Sequence, residues 1–302
     1  MEEMTTGLCP KCGHTLQIPA ELERFSCMYC GERLTKRQLL TQPEEASCSE
    51  EDCAVSFDHA VSRLGWCVQN FRGYQKKILR DAFFEAFETY ETGCAPVIQE
   101  LNSGVRPERQ TELLERAAEA MLDELSAGWE KKNDMEDEKV VLAIFFVPMV
   151  RKQQLPISEE FVTILQKQWV ERYPKSPFYL GDYESISGGF RKKFLGLCFI
   201  TTAVCQELGK PDDCEELTAF RAFRDGYLRS QPDGEALIRE YYNIAPGIVT
   251  CINTCSDRHA SYARIREEYL APCYQDLLAG RNESCKARYV RMVRDLEREY
   301  LS

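Results

Sequence analysis

The chain has 302 residues, of which 44% are hydrophobic and 29% charged, the balance of a soluble globular protein and not of a disordered one. Its formal net charge of -11 repels a phosphate backbone at long range, which argues against bulk nucleic-acid binding while leaving room for a local patch. The longest apolar stretch, 140–150, falls far short of the ~20 residues that cross a bilayer, and residues 1–7 carry two glutamates and no apolar run. A cytoplasmic location away from the membrane is the expectation. The fifteen cysteines are read accordingly: the odd count, the paired Cys-x-x-Cys spacing and the missing export signal point to a reducing compartment and a metal, not to a disulfide framework.

The first element is the pair Cys9-Pro10-Lys11-Cys12-Gly13 and Cys27-Met28-Tyr29-Cys30-Gly31, two copies of one turn. Each turn can aim both sulfurs at a common centre, and the glycine after it lets the backbone reverse. Fourteen residues separate Cys12 from Cys27, which suits a hairpin with residues 15–18 as one strand and 24–26 leading into the other. Four thiolates in a tetrahedron suit one Zn2+, and a full set of four leaves no open position, so the ion is expected to be structural. Iron is the alternative metal, and a redox dithiol is disfavoured by the matching of the two turns. Over residues 9–31 the sequence resembles the zinc-ribbon family, whose members often bind nucleic acids or proteins. The first forty residues hold five basic and five acidic side chains, a balance that favours a folding staple or a protein-docking knob over a DNA reader.

Cys48, Cys53, His59 and Cys67 match no familiar metal spacing, and the last three also fit an ordinary helix, so a second metal site is not expected. The middle of the chain carries apolar residues at helical spacing over 52–70, 75–92, 109–128 and from 158 to about 173, with Gly93, Gly104 and Gly128 as stops. The stretch 140–150 reads as a buried helix, with the acidic run 134–138 at its N-terminus, where carboxylates are favourable. The charged stretch 130–139 reads as a solvated linker or helix start. Neither a phosphate loop, nor a dinucleotide fingerprint, nor a Gly-x-Ser-x-Gly elbow is present.

Residues 179–189 are polar and contain glycine, which places a boundary there. Beyond it, Cys198, Thr201, Thr202 and Cys205 fall at i, i+3, i+4 and i+7 and would share one face of a helix. Asp212 and Glu215 have the spacing of a capping box, Arg221 and Asp225 can pair four apart, and Pro246 reads as the start of a further short helix. Two longer helices follow, over about 259–279 and 283–300. The last has Cys285, Tyr289, Met292, Val293 and Leu296 on one face and Arg288, Arg291, Arg294 and Arg298 on the other, a solvated face partly paired with Asp295 and Glu299.

From residue 198 to about 246 the chain resembles the bacterial CFI-box family. The resemblance is carried by Cys198-Phe199-Ile200-Thr201-Thr202-Ala203, then by Phe220-Arg221-Ala222-Phe223-Arg224-Asp225-Gly226-Tyr227-Leu228, then by Tyr241-Tyr242 and Ala245-Pro246. Phe220 departs from the pattern, which has an aliphatic residue there. More than fifty residues follow the box. The resemblance names a domain and implies no activity.

The expected architecture is a mostly all-α multi-helix body with a small N-terminal β zinc ribbon. Its parts are the ribbon (1–35), a helical middle domain (36–178) and a C-terminal helical domain (179–302). The favoured function is a non-catalytic protein-interaction or scaffold protein with a structural ion on Cys9, Cys12, Cys27 and Cys30 and another protein as partner. The alternative is a cysteine-dependent enzyme. It would use Cys198 as nucleophile and His259 as base, with Thr201, Thr202, Cys205, Arg221, Arg224 and Asp225 as a polar site. A second alternative is a ribbon that reads RNA or DNA with help from the arginines of the last helix.

Overall fold

A computed structural model describes residues 4–10, 14–39, 50–131, 133–191 and 198–302. The protein is mostly helical with a small β region at its N-terminus, and it divides into two compact units, Met1–Ala54 and Val55–Ser302.

In the first unit β1 (Met4–Leu8) pairs antiparallel with β2 (Thr15–Pro19), and β3 (Arg24–Ser26) pairs antiparallel with β4 (Arg33–Thr35). Each hairpin therefore brackets one Cys-x-x-Cys turn. This corrects the expectation that the two turns are joined by a single hairpin of residues 15–18 against 24–26. Strand pairing is local here because each knuckle is itself the reversal that brings its own flanking strands together. The register repeats at an offset of 18 residues: Leu8 faces Thr15 as Ser26 faces Arg33, and Gly7 faces Leu16 as Phe25 faces Leu34. Burial alternates along β2, with Leu16 and Ile18 in and Thr15 and Gln17 out, the period of a strand with one covered face. The covered side is small: Cys9, Leu16, Cys27 and Leu34, with Phe25, Cys30 and Leu39 packed against them. A core of that size does not hold a fold alone without a staple.

From Glu50 onward the described chain is helical: α1 (Glu50–Leu64), α2 (Trp66–Gln69), α3 (Phe83–Gly104), α4 (Gln110–Ala127), α5 (Asp134–Val141), α6 (Val147–Lys152), α7 (Ser158–Arg172), α8 (Tyr183–Arg191), α9 (Phe199–Glu207), α10 (Glu215–Phe223), α11 (Gly234–Cys255), α12 (Arg258–Ile265), α13 (Ala271–Leu278) and α14 (Asn282–Tyr300). Single π-helical turns join α5 to α6 (Leu142–Phe146) and α12 to α13 (Arg266–Leu270), and a third (Arg224–Leu228) extends α10. No helix among the described residues is long and apolar enough to cross a membrane.

The α5–π–α6 rod is the axis of the helical unit. Residues 141–150 are all buried, as expected of a helix that is apolar on every side. Phe145 is ringed by Tyr74, Phe83, Phe87 and Tyr90, and α11 packs on the same π turn from the C-terminal half. One apolar core runs from Phe57 to Leu301. It passes through the position where the sequence places a domain boundary: Phe83 stacks on Phe190 at 4.4 Å, Arg80 N–H donates to Asn243 O at 3.0 Å, and Tyr179 N–H donates to Thr254 O at 2.8 Å. The polar stretch around 179–189 is in large part the helix α8.

Tertiary packing also overrides several local stop signals. α3 runs on through Gly93 and Pro96 to Gly104, because the turns beyond Gly93 bury Cys94, Val97, Ile98 and Leu101. Pro246 lies inside α11 and does not open a new helix. Next to it Gly247 is obligatory, since a Cβ there would stand 2.0 Å from the Ile78 carbonyl oxygen. Asp212 does not cap α10; Cys214 holds the N-cap position, and Asp212 instead accepts from Arg221 Nη2 at 2.8 Å. Arg221 is thereby drawn away from Asp225. Within the charged stretch 130–139, α5 does start at Asp134, yet Asp134, Glu138 and Lys139 are buried and partnered, not solvated.

Candidate functional site

The candidate metal centre is built by the two hairpin tips. Cys9 N–H donates to His14 O at 3.0 Å, and Cys27 N–H donates to Glu32 O at 2.8 Å, the same bond one repeat later. Gly31 sits at φ +72°, the left-handed conformation that the turn after Cys30 requires, which is the role its sequence position implies. The rings of His14 and Tyr29, one from each hairpin, stack at 4.3 Å and tie the tips together.

The sulfurs of Cys9, Cys27 and Cys30 lie within 4.8 Å of one another, and Cys9 Sγ stands 3.7 Å from Cys30 Sγ. A disulfide needs about 2.05 Å, so these thiols are not bridged. A tetrahedral ion with metal–sulfur bonds of about 2.3 Å has a sulfur–sulfur edge of ~3.8 Å, which matches the Cys9–Cys30 distance. Cys9 and Cys27 are buried and Cys30 is half-buried, so the three thiols are placed to hold one metal ion away from bulk water. Cys12, the fourth expected ligand, lies outside the described residues; in sequence it follows Cys9 as Cys30 follows Cys27. Among the described residues no other group of His, Cys, Asp and Glu has metal-ligand spacing. Cys48 also lies outside them, His59 Nδ1 is bonded to Glu100 at 2.7 Å, and Cys67 is buried against Cys94.

In the helical unit Cys198 is the N-cap of α9 and is 4% exposed. Its sulfur receives a hydrogen bond from Arg224 Nη1 at 3.5 Å. The same nitrogen donates to Tyr242 Oη at 3.1 Å, and the guanidinium forks onto Asp225 at 2.8 and 2.6 Å. Arg224 follows the buried Phe220 by four residues and the buried Leu217 by seven, so it continues the buried face of α10 where the π turn begins. Burial pushes the Cys198 thiol above its usual range, and the nearby Arg224 charge offsets this only in part. Beside Cys198 lies a cavity of about 60 Å3 lined mainly by Phe220, Ile238, Tyr241, Tyr289 and Val293. It has room for about two waters and little to hold them.

The sequence-derived polar site is thus split. Cys198, Arg224 and Asp225 come together. Thr201 turns inward to Tyr289 Oη at 3.2 Å, and Cys205 meets Cys214. Thr202 faces elsewhere, lining a groove, and Arg221 is held by Asp212. His259 is exposed at the start of α12 and pairs with Glu207, at the opposite end of α9 from Cys198. A nine-residue helix is ~13 Å long, so His259 is not a base for this thiol. The arginines of α14 are paired on the surface: Arg294 with Glu240 and Glu297, Arg291 and Arg298 with Asp295, Arg288 with Asp276.

Comparison with protein-family models, with curated proteins and with solved structures finds no match. The zinc-ribbon and CFI-box resemblances therefore stand on the residues quoted for them.

Sequence reasoning missed two features of the helical unit. One is the groove of about 590 Å3 between α8, α9, α11 and α12, lined by Gly188, Gly189, Thr202, Glu207, Asn253 and Tyr262 among others. The adjacent glycines were its only local signal. The other is the sulfur-to-sulfur pairing of distant cysteines, for which spacing in the chain carries no signal.

Proposed function

We propose that this chain is a non-catalytic protein-interaction or scaffold protein of the cytoplasm. Its N-terminal ribbon is held by one structural Zn2+ on Cys9, Cys12, Cys27 and Cys30. The observation that carries this reading is the convergence of the Cys9, Cys27 and Cys30 sulfurs within 4.8 Å of one another on two matched hairpin tips. Zn2+ fits four thiolates with no position left for a substrate, so its role is to close a fold whose own core is too small. Iron is the other ion that the donor set accepts.

The docking face is assigned to the ribbon tip, where Met28 and Tyr29 are 76% and 58% exposed between two metal ligands. Supporting the non-catalytic half of the reading, Cys198 is buried against an arginine, and burial raises its thiol above its usual range.

Elemental analysis of purified full-length protein tests the metal, with one zinc per chain expected. Substitution with Co2+ should give the absorption of a tetrahedral thiolate site. Protein that carries iron, or that carries no metal and keeps its ribbon folded under chelation, overturns the reading. Met28→Asp, which leaves the His14–Tyr29 stack in place, should leave the zinc content unchanged, which separates docking from metal binding.

A further inference from the structure

Six of the nine cysteines in residues 55–302 stand thiol to thiol: Cys67 with Cys94, Cys205 with Cys214, and Cys273 with Cys285. The pairs differ in access. Cys67, Cys94, Cys273 and Cys285 have no exposed surface, whereas Cys214 is only half-buried.

The accessible pair is assembled by a short reversal. α9 ends at Glu207, and Gly209 takes the left-handed conformation at φ +68°. Lys210 N–H then closes onto Cys205 O at 2.9 Å, and Gly209 N–H onto Gln206 O at 2.9 Å, a helix C-cap that turns the chain back. Cys214 N–H bonds to Pro211 O at 3.1 Å, which leaves Cys214 as the N-cap of α10 with its sulfur 3.9 Å from that of Cys205. Lys210 to Glu216 at 2.5 Å and Arg221 to Asp212 at 2.8 Å brace the same turn from two sides.

We infer that Cys205 and Cys214 form a reversibly oxidisable dithiol, converted by a peroxide to an intrachain disulfide that clamps the end of α9 to the start of α10. Cys214 is attacked first. It is the more accessible thiol of the two, half-buried at the N-cap of α10 where Cys205 is sealed. Its sulfur takes the distal oxygen of hydrogen peroxide as the O–O bond breaks, and the departing hydroxide accepts the thiol proton as water, leaving a sulfenic acid. The Cys205 sulfur then attacks the sulfenic sulfur. The S–S bond forms, the S–O bond breaks, and the leaving hydroxide carries off the Cys205 proton as a second water. Two thiols and one peroxide give one disulfide and two waters. The sulfurs must close from 3.9 Å to about 2.05 Å, a movement that the half-buried Cys214 side chain and its turn can supply. Burial pushes the Cys205 thiol up to about 12, which suits it to the second step and not the first.

The test is differential alkylation and mass spectrometry on the full chain after graded exposure to hydrogen peroxide. The Cys205–Cys214 disulfide should form about tenfold faster than any link at the two sealed pairs, and a small thiol reductant should remove it. Cys214→Ser should abolish it. Cys205→Ser should leave Cys214 as a sulfenic acid that a dimedone-type reagent traps. Formation no faster than at Cys67–Cys94 and Cys273–Cys285 overturns the inference, as does oxidation of Cys214 that ends only in links between chains. The wild-type comparison stands even if a variant fails to fold.

Discussion

Arg72 closes on the fully buried carboxylate of Glu138, its Nε 2.6 Å and its Nη2 2.5 Å from Oε1. Trp129 Nε1 donates to the other oxygen at 2.7 Å, so both carboxylate oxygens are engaged. The pair anchors the first turns of the central rod to the loop after α2. Arg72→Met strands a buried carboxylate, and because Arg72 is about a third exposed the cost falls near the lower end of the range for broken buried pairs, about 3 kcal/mol. Chemical denaturation should register it as a lower midpoint with unchanged slope. Glu138→Gln keeps a partner for Trp129 and should cost less.

Chelation should affect the two units unequally. Removing the metal, or replacing Cys27 by Ser, should release the β1–β2 and β3–β4 hairpins while the helical far-ultraviolet signal persists, because residues 57–301 share a core of their own. Hydrogen exchange resolved by segment would read this directly. Protection of residues 15–19 that survives chelation would contradict it.

Cys198 should resist iodoacetamide in the native protein near neutral pH and label fully once the chain is unfolded. Its burial and raised pKa leave almost no accessible thiolate. Preferential labelling of Cys198 in the folded state would revive a catalytic role for it.

Stability should fall in acid. Asp134 accepts the N–H groups of Glu130 and Lys131, and Asp182 accepts the N–H and hydroxyl of Ser185; these bonds hold both carboxyls below their ordinary value of about 3.9. A lowered pKa contributes stability above the unfolded value, and that contribution is lost as pH falls through the folded one. Glu138 has the opposite sign: burial raises its carboxyl, so its contribution is present at low pH and lost as pH rises through the raised value. Denaturation midpoints should therefore fall as pH drops below about 4, less steeply in Asp182→Asn.

Two glycines should answer alanine in opposite directions. A Cβ at Gly188 meets nothing within 4 Å, so Gly188→Ala should stabilise α8 by about 0.5–1 kcal/mol. At Gly247 the added carbon would collide with the Ile78 backbone, and Gly247→Ala should destabilise by several times that amount. Thermal midpoints of the two variants suffice.

By itself the sequence determined what is local in this protein. The Cys-x-x-Cys-Gly turns announce the sulfur cluster because three residues of backbone set the ligand spacing. The unbroken apolar run at 140–150 announces the central rod because a helix without a polar face has to be buried. Apolar spacing located α4 and α7 closely for the same reason. What only the tertiary structure decided involves partners far apart in the chain. Each knuckle closes its own hairpin, α3 and α11 pass through their glycines and prolines because packing outweighs local propensity, and one core crosses residue 179. Cys198 faces Arg224 instead of His259 because the arginine continues the buried face of α10 while α9 holds the histidine's partner at its far end. Spacing along a chain constrains neighbours on one element; which elements meet is set by the summed burial of the whole core.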